Sequence, residues 1–205
     1  EALMAAKKEK KVIVASMGDL AASGGYFIAS AADKIVADPG TLTGSIGVIA
    51  QIPVMKEFYD KLGIRHETIK EGEHTDQFSG LRKMSQAERD RFMTLLDETY
   101  DQFVKSVARG RKMPTAEVES LAQGRIYTGT QAKNKKLVDE LGGFSRAIEL
   151  TKSLAEVKGR ALLVFYREPV PFGYPMLAQI AEGVGLGPLM GYSRVKMDRI
   201  QRLAD

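Results

Sequence analysis

At 205 residues, with a net charge of +4 and 44% hydrophobic residues, the chain has the size and composition of a globular protein with one good core, or a core plus a smaller appendage. The lack of cysteine excludes a thiol nucleophile, a disulfide framework and a thiolate metal site, and two histidines, His66 and His74, argue against a histidine-rich metal centre. Lysines and arginines are interspersed with acids and lack interleaved aromatics, so the mild basicity reads as a solvated surface, with no nucleic-acid partner and no cofactor expected.

Glu1 to Lys10 reads as the end of a helix, with Lys7, Lys8 and Lys10 suiting its carboxyl-terminal turn. The chain opens inside this lysine-rich stretch without an initiator Met, so it is read as a piece of a longer protein whose amino-terminal part is absent. No segment has the uninterrupted apolar length that spans a bilayer. Val12 to Val14 reads as a buried strand, ended by Ser16, Gly18 and Asp19. Ser23-Gly24-Gly25 and the small, apolar run Tyr26 to Ala32 follow, which predicts a strand-to-helix turn at Ser23. A serine there can act as a nucleophile, with the Gly24 amide aimed at an oxyanion. The plainer account makes Ser23 a helix N-cap and the glycines a packing device, and for an isolated serine it is the commoner one.

Asp33 to Pro39 predicts a short strand, and the polar stretch Gly40 to Gly47 a loop leading to the apolar run Val48 to Val54. Strand, helix and strand in this order are the unit of an α/β layered fold. Lys56 to Leu62 reads as a helix closed by Gly63, Ile64 to Lys70 as a strand, and Glu71 to Lys83 as a loop. Ser85 and Glu88 form a capping-box signature before a long helix ended by Gly110. Its apolar stripe, Phe92, Leu95, Leu96, Tyr100, Phe103 and Val107, suits a core or a subunit interface. Two shorter helices, after Pro114 and around Gln131, flank a strand at Arg125 to Tyr127. Gly142-Gly143 precedes a last helix, Ser145 to Ala155, and Ala161 to Tyr166 reads as one more strand. Prolines and glycines then crowd an apolar tail, which divides the chain into residues 1–157 and 158–205. That tail is expected to pack on the body, a neighbouring subunit or a membrane surface, or to form a flexible arm.

Met17-Gly-Asp-Leu-Ala-Ala-Ser-Gly-Gly-Tyr-Phe-Ile-Ala29, Ala32 to Ala37, Gly40-Thr-Leu-Thr-Gly-Ser-Ile-Gly-Val48, Gly124 to Gly129 and Leu137 to Gly142 together resemble the bacterial signal peptide peptidase A family. The resemblance covers residues 1 to about 157. It implies a ClpP/crotonase-like α/β fold and a serine peptidase with a serine/lysine dyad. In these terms Ser23 is the nucleophile, Gly24 an oxyanion-hole donor, and Ser45 the serine that orients the catalytic lysine. The second oxyanion donor, from a Gly-Gly turn, would precede Glu1. Read without the family, Ser45 is a turn residue.

The family pattern resembles Ile-Lys-x-Gly-x-x-Lys-Asp, and here Ile69 to Asp76 places Thr75 where the general-base lysine belongs. Threonine cannot take a proton from Ser23 near neutral pH, whereas a lysine can when its pKa is lowered. Four readings stand side by side. The chain is a non-catalytic relative, or Thr75 freezes an intact site. Alternatively His74 acts instead, or another subunit or the missing amino-terminal part supplies a lysine. Lys70 matches a different, non-catalytic lysine and reads as a solvated surface residue. The resemblance further implies signal-peptide substrates bound in extended form, a ring or dome of identical subunits, membrane anchoring in the full-length protein, and a site facing outside the cytoplasm. A non-catalytic peptide-binding subunit of the same fold is the alternative. A crotonase-type acyl-CoA enzyme is disfavoured by the Ala-Ala-Ser-Gly-Gly context, and no P-loop motif is present.

Overall fold

A computed structural model describes residues 2–166 of the chain. The chain divides into two units, Glu1–Ala155 and Glu156–Asp205. The first unit is α/β, as expected of a ClpP/crotonase-like chain. One parallel sheet has the order β1 (Val14–Met17), β3 (Lys34–Ala37), β6 (Glu140–Leu141). A second sheet runs β2 (Leu20–Ala22), β4 (Leu42–Gly44), β5 (Ile126–Thr128), with β2 and β4 parallel and β5 antiparallel to β4. Helix α2 (Gly24–Ala29) connects the first strands of each sheet to the next, so both parallel pairs are built through the same crossover.

The strand foreseen at Val12 to Val14 is shifted to Val14–Met17, because that is the stretch whose backbone meets β3, with Val14 opposite Lys34 and Met17 opposite Ala37. The loop foreseen at Gly40 to Gly47 contains β4. Its threonines are buried, yet each hydroxyl donates to a carbonyl: Thr41 to Gly18 at 2.7 Å and Thr43 to Ala21 at 2.7 Å. A strand whose inward groups are satisfied polar side chains carries no apolar signature.

Helix α4 (Gln86–Arg111) begins on a complete capping box, in which the Ser85 hydroxyl accepts from the Glu88 amide and the Glu88 carboxylate accepts from the Ser85 amide. Only its carboxyl-terminal half enters the core, through Phe103, Val104, Val107 and Ala108. Gly110 does not stop this helix. Lys112, in left-handed conformation, caps it, and Gly110 is needed because α4 crosses the end of α2: a Cβ there would stand 1.9 Å from the Ser30 carbonyl oxygen. The same end of α4 is tied to the first sheet by Arg111, which donates to Asp139 at 2.8 Å, while Asp139 also accepts from the Ile35 amide. The core centres on Tyr26 of α2, fully buried, whose hydroxyl donates to the Leu137 carbonyl at 2.8 Å.

Helices α1 (Ala2–Lys8), α3 (Lys56–Lys61), α5 (Thr115–Leu121), α6 (Gly129–Asn134) and α7 (Phe144–Leu154) fall where the sequence predicts them. Two predicted strands do not form. Ile64 to Lys70 is irregular and exposed along its length, with Ile69 94% accessible. Ala161 to Tyr166, in the second unit, is likewise irregular. Alternating apolar residues make a strand only where a partner edge accepts the ladder, and among the described residues none pairs with either. The run Val48 to Val54 is also outside regular structure. The proline- and glycine-rich tail lies outside the described residues.

Candidate active site

Strand β2 ends at Ala22 and α2 begins at Gly24, which leaves Ser23 alone at the strand-to-helix turn. Its backbone is held at both ends: the Ser23 amide donates to the Gly44 carbonyl of β4 at 2.9 Å, and its carbonyl accepts from the Phe27 amide at 2.8 Å. Between these bonds its φ is 52° and its ψ −120°. This region favours glycine and costs a residue with a Cβ about 1–3 kcal/mol. Ser23 occupies the N-cap position, yet its side chain makes no capping hydrogen bond. The plainer account of Ser23 as a helix cap therefore fails, and the exposed hydroxyl is left for other use.

That hydroxyl opens on a cleft of about 310 Å³ lined by Ser23, Gly24, Phe27, Gly47, Val48, Ile49, Thr99, Gln102 and Phe103. Gly24 is the first residue of α2, so its N–H has no acceptor within the helix and lies at the positive end of the helix dipole. Phe27 and Phe103 meet edge to face, with ring centroids 5.2 Å apart, and form an apolar wall. Gly47 closes against Gly124, where a Cβ would come within 2.9 Å of its backbone. Sequence reasoning placed Phe103 in the core stripe and passed over Thr99 and Gln102. These α4 residues reach the cleft only because α4 crosses α2, and nothing local in the chain marks that crossing.

Ser45 follows β4 in left-handed conformation, half-buried, its amide donating to the Arg125 carbonyl at 2.7 Å. This is the turn geometry that the residue alone suggests. Thr75 is exposed, and its hydroxyl donates to the Gly72 carbonyl at 3.2 Å. Neither Ser45 nor Thr75 lines the Ser23 cleft.

The turn carrying Thr75 is clamped on both sides. Arg82 donates to Asp76 through Nε and Nη2 and to Glu88 through Nη1 and Nη2. Lys70, foreseen as merely solvated, pairs with Asp76 at 3.1 Å. His74 places Nδ1 2.9 Å from the Glu88 carboxylate, which is buried at the head of α4. Hydrogen bonds from Arg82, then from the Ser85 amide and His74, hold the Glu88 carboxyl well below its ordinary pKa, and Arg82 followed by Lys70 does the same for Asp76. His74 lines a different cleft, with Phe78, Glu88, Arg91, Phe92 and Leu95. Glu88 and Gln102 are about 20 Å apart along α4 at about 1.5 Å of rise per residue, so His74 of a chain is not within reach of that chain's Ser23. Among the described residues, no lysine or histidine lines the Ser23 cleft.

The sequence profile described as Peptidase family S49 matches residues 5–158, about three quarters of the chain. Serine protease SPPA, chloroplastic, of Arabidopsis thaliana is 40% identical over 73% of this chain and 22% of its own length. Protease 4 of Haemophilus influenzae is 38% identical over 72% of this chain and 24% of its own. A Synechocystis protein named as a protease is 36% identical over 87% of this chain and 67% of its own length. The chain thus spans about a quarter or less of the first two relatives.

Proposed function

The chain belongs to peptidase family S49, and from that premise we propose that it is the nucleophile-bearing domain of a serine peptidase that cleaves residual membrane-associated signal peptides through an acyl-enzyme on Ser23. The observation that carries this reading is the conformation of Ser23: a serine kept at a glycine-favouring φ of 52°, uncapped, at the mouth of an apolar cleft. In the first step Ser23 Oγ bonds to the substrate carbonyl carbon and its proton passes to a base. The carbonyl oxygen becomes an oxyanion that accepts from the Gly24 N–H. The C–N bond then breaks, the amine leaves with the proton, and water hydrolyses the ester.

The base enters from outside the Ser23 cleft, carried by another copy of the chain or by another part of a longer protein. Two points favour this over an internal base: the resemblance, which sets Thr75 where the family's lysine is expected, and the separation of His74 from Ser23 along α4. Ser45 would orient an incoming lysine. The substrate would lie extended against β2, which is an edge strand among the described residues and runs directly into Ser23. Assembly of identical subunits would cover exposed apolar side chains such as Phe58, Phe78 and Leu95. The full-length protein is membrane-anchored and its site faces outside the cytoplasm in this reading. No helix among the described residues is long and apolar enough to cross a membrane, so the anchor would lie elsewhere.

A second reading, a peptide-binding subunit that does not cleave, is favoured by Thr75 alone. Labelling with a fluorophosphonate probe decides between them. The peptidase reading expects Ser23 to be labelled in the assembled protein and Ser23→Ala to abolish it. If only Thr75→Lys labels, the site is intact but halted by that residue. If neither form labels, the binding-subunit reading replaces the peptidase one.

A further inference from the structure

Phe27 and Gln102 line the Ser23 cleft and also open a larger groove of about 580 Å³ between α1, α2 and the last turns of α4. Leu3 and Met4 of α1 and Phe27 and Ile28 of α2 make its walls apolar. Ile28 is 61% exposed, a large apolar side chain left open beside a candidate nucleophile. At the far end stand Arg109 and Lys112, both exposed and without an ion pair within 4 Å among the described residues, although Lys112 lies near enough to Asp33 to help hold its carboxyl below the ordinary range. Lys7, the third cation of the groove, is engaged by Asp33 at 2.9 Å. The walls are held together by the contact of Gly110 with Ser30 and by the Arg111–Asp139 pair. Thr99, Gln102, Ser106 and Arg109 share one face of α4 and run from the Ser23 cleft to the cations. This path is about 15 Å, or four to five residues of extended peptide at about 3.3 Å each.

We propose that this groove is a substrate subsite for the carboxy-terminal residues of an apolar peptide, whose free α-carboxylate sits between Arg109 and Lys112, about four residues from the bond attacked by Ser23. The proposal rests on the peptidase reading above, and the chemistry of a residual signal peptide selects the occupant. Such a peptide carries positive charge at its amino terminus, which Arg109 and Lys112 repel. Its middle is apolar, and the end left by earlier cleavage is small-residued and terminates in the one anion it owns. Apolar walls leading to two available cations match that end and no other part. Charge-assisted hydrogen bonds from Arg109 to the carboxylate would fix both the direction of the peptide and the register of the cut.

Binding tests this without catalysis. A labelled signal-peptide fragment with a free carboxy terminus and its carboxy-terminal amide are titrated against the Ser23→Ala chain by fluorescence anisotropy. The acid is expected to bind about tenfold more tightly than the amide at low salt, with the difference shrinking as salt screens the contact. Arg109→Gln and Lys112→Asn, each tested separately, are expected to erase most of that preference while leaving amide binding unchanged. Equal binding of acid and amide overturns the proposal, as does a preference that survives both substitutions. An amidated peptide whose affinity is fully restored by an aspartate near its end also overturns it, because the groove would then read a side chain. Arg109 and Lys112 do not line the Ser23 cleft, so probe labelling of Ser23 is expected to be the same in both variants. Loss of labelling in the unsubstituted chain counts against the peptidase reading alone, since the acid-over-amide preference is measured on a chain that cannot cleave.

Discussion

Replacing Ser23 by glycine is expected to make the protein more stable while destroying its proposed nucleophile. The backbone at Ser23 is pinned by its bonds to Gly44 and Phe27, with φ 52° and ψ −120°, so a Cβ is strained there whatever it carries. Relief of that strain is about 1–3 kcal/mol. The glycine makes the unfolded chain more flexible, which takes back about 0.5–1 kcal/mol. The Ser23 hydroxyl makes no capping bond, so nothing else is lost. The net gain is about 1 kcal/mol, or a rise of about 2–4 °C in Tm for a chain of this size. Ser23→Ala keeps the Cβ and is expected to match the unsubstituted chain. Both variants are expected to lose fluorophosphonate labelling. Urea unfolding and thermal melts of the three chains, read side by side, check the order glycine above alanine and serine. A glycine variant no more stable than the alanine variant would refute the argument that strain is stored at this turn.

Gly110→Ala separates two accounts of that glycine. If Gly110 were an ordinary position inside the helix, alanine would gain about 1 kcal/mol of helix propensity. Since a Cβ would meet the Ser30 carbonyl at 1.9 Å, the substitution is expected instead to cost about 3 kcal/mol, seen as a lower urea midpoint. Acid is expected to loosen the turn that carries Thr75. Glu88 and Asp76 have pKa values held down by Arg82, so their contribution is complete above the ordinary carboxylate range and is lost as pH falls below it toward the folded values. Tm measured from pH 7 down to about pH 3 should therefore decline, and Glu88→Gln should flatten that decline. An equally steep decline in the variant would place the acid sensitivity elsewhere.

Much of the first unit was legible because its signals are local. The capping box at Ser85 and Glu88 satisfies amides within one turn, and it was found in the structure as read. The glycine pair at 142–143 marks α7 in the same way, expected over Ser145 to Ala155 and formed over Phe144–Leu154. Where a residue is decided by a distant partner, the reading failed. Gly110 looked like a stop because only the crossing of α2 reveals its purpose. Thr41 and Thr43 looked like loop because their buried hydroxyls are satisfied by carbonyls far back in the chain, of Gly18 before β2 and Ala21 within it. Ile64 to Lys70 looked like strand because alternation shows a face but no edge on which to pair it.

At the candidate site the division is the same. From sequence alone, a strand-to-helix turn could be placed at Ser23 with the Gly24 amide after it, because residue type and neighbour order carry that signal; the match of Thr75 to the family's lysine rests on the resemblance. Tertiary structure decided that Ser23 is strained and uncapped, since its φ is imposed by hydrogen bonds to β4 and α2. It decided that Thr99, Gln102 and Phe103 build the wall of the cleft, and that His74 sits beside the head of α4, out of reach of the serine. A one-dimensional pattern records which groups a chain owns and how its backbone turns locally. Which groups meet depends on where helices cross, and that is set by packing over residues far apart in the chain.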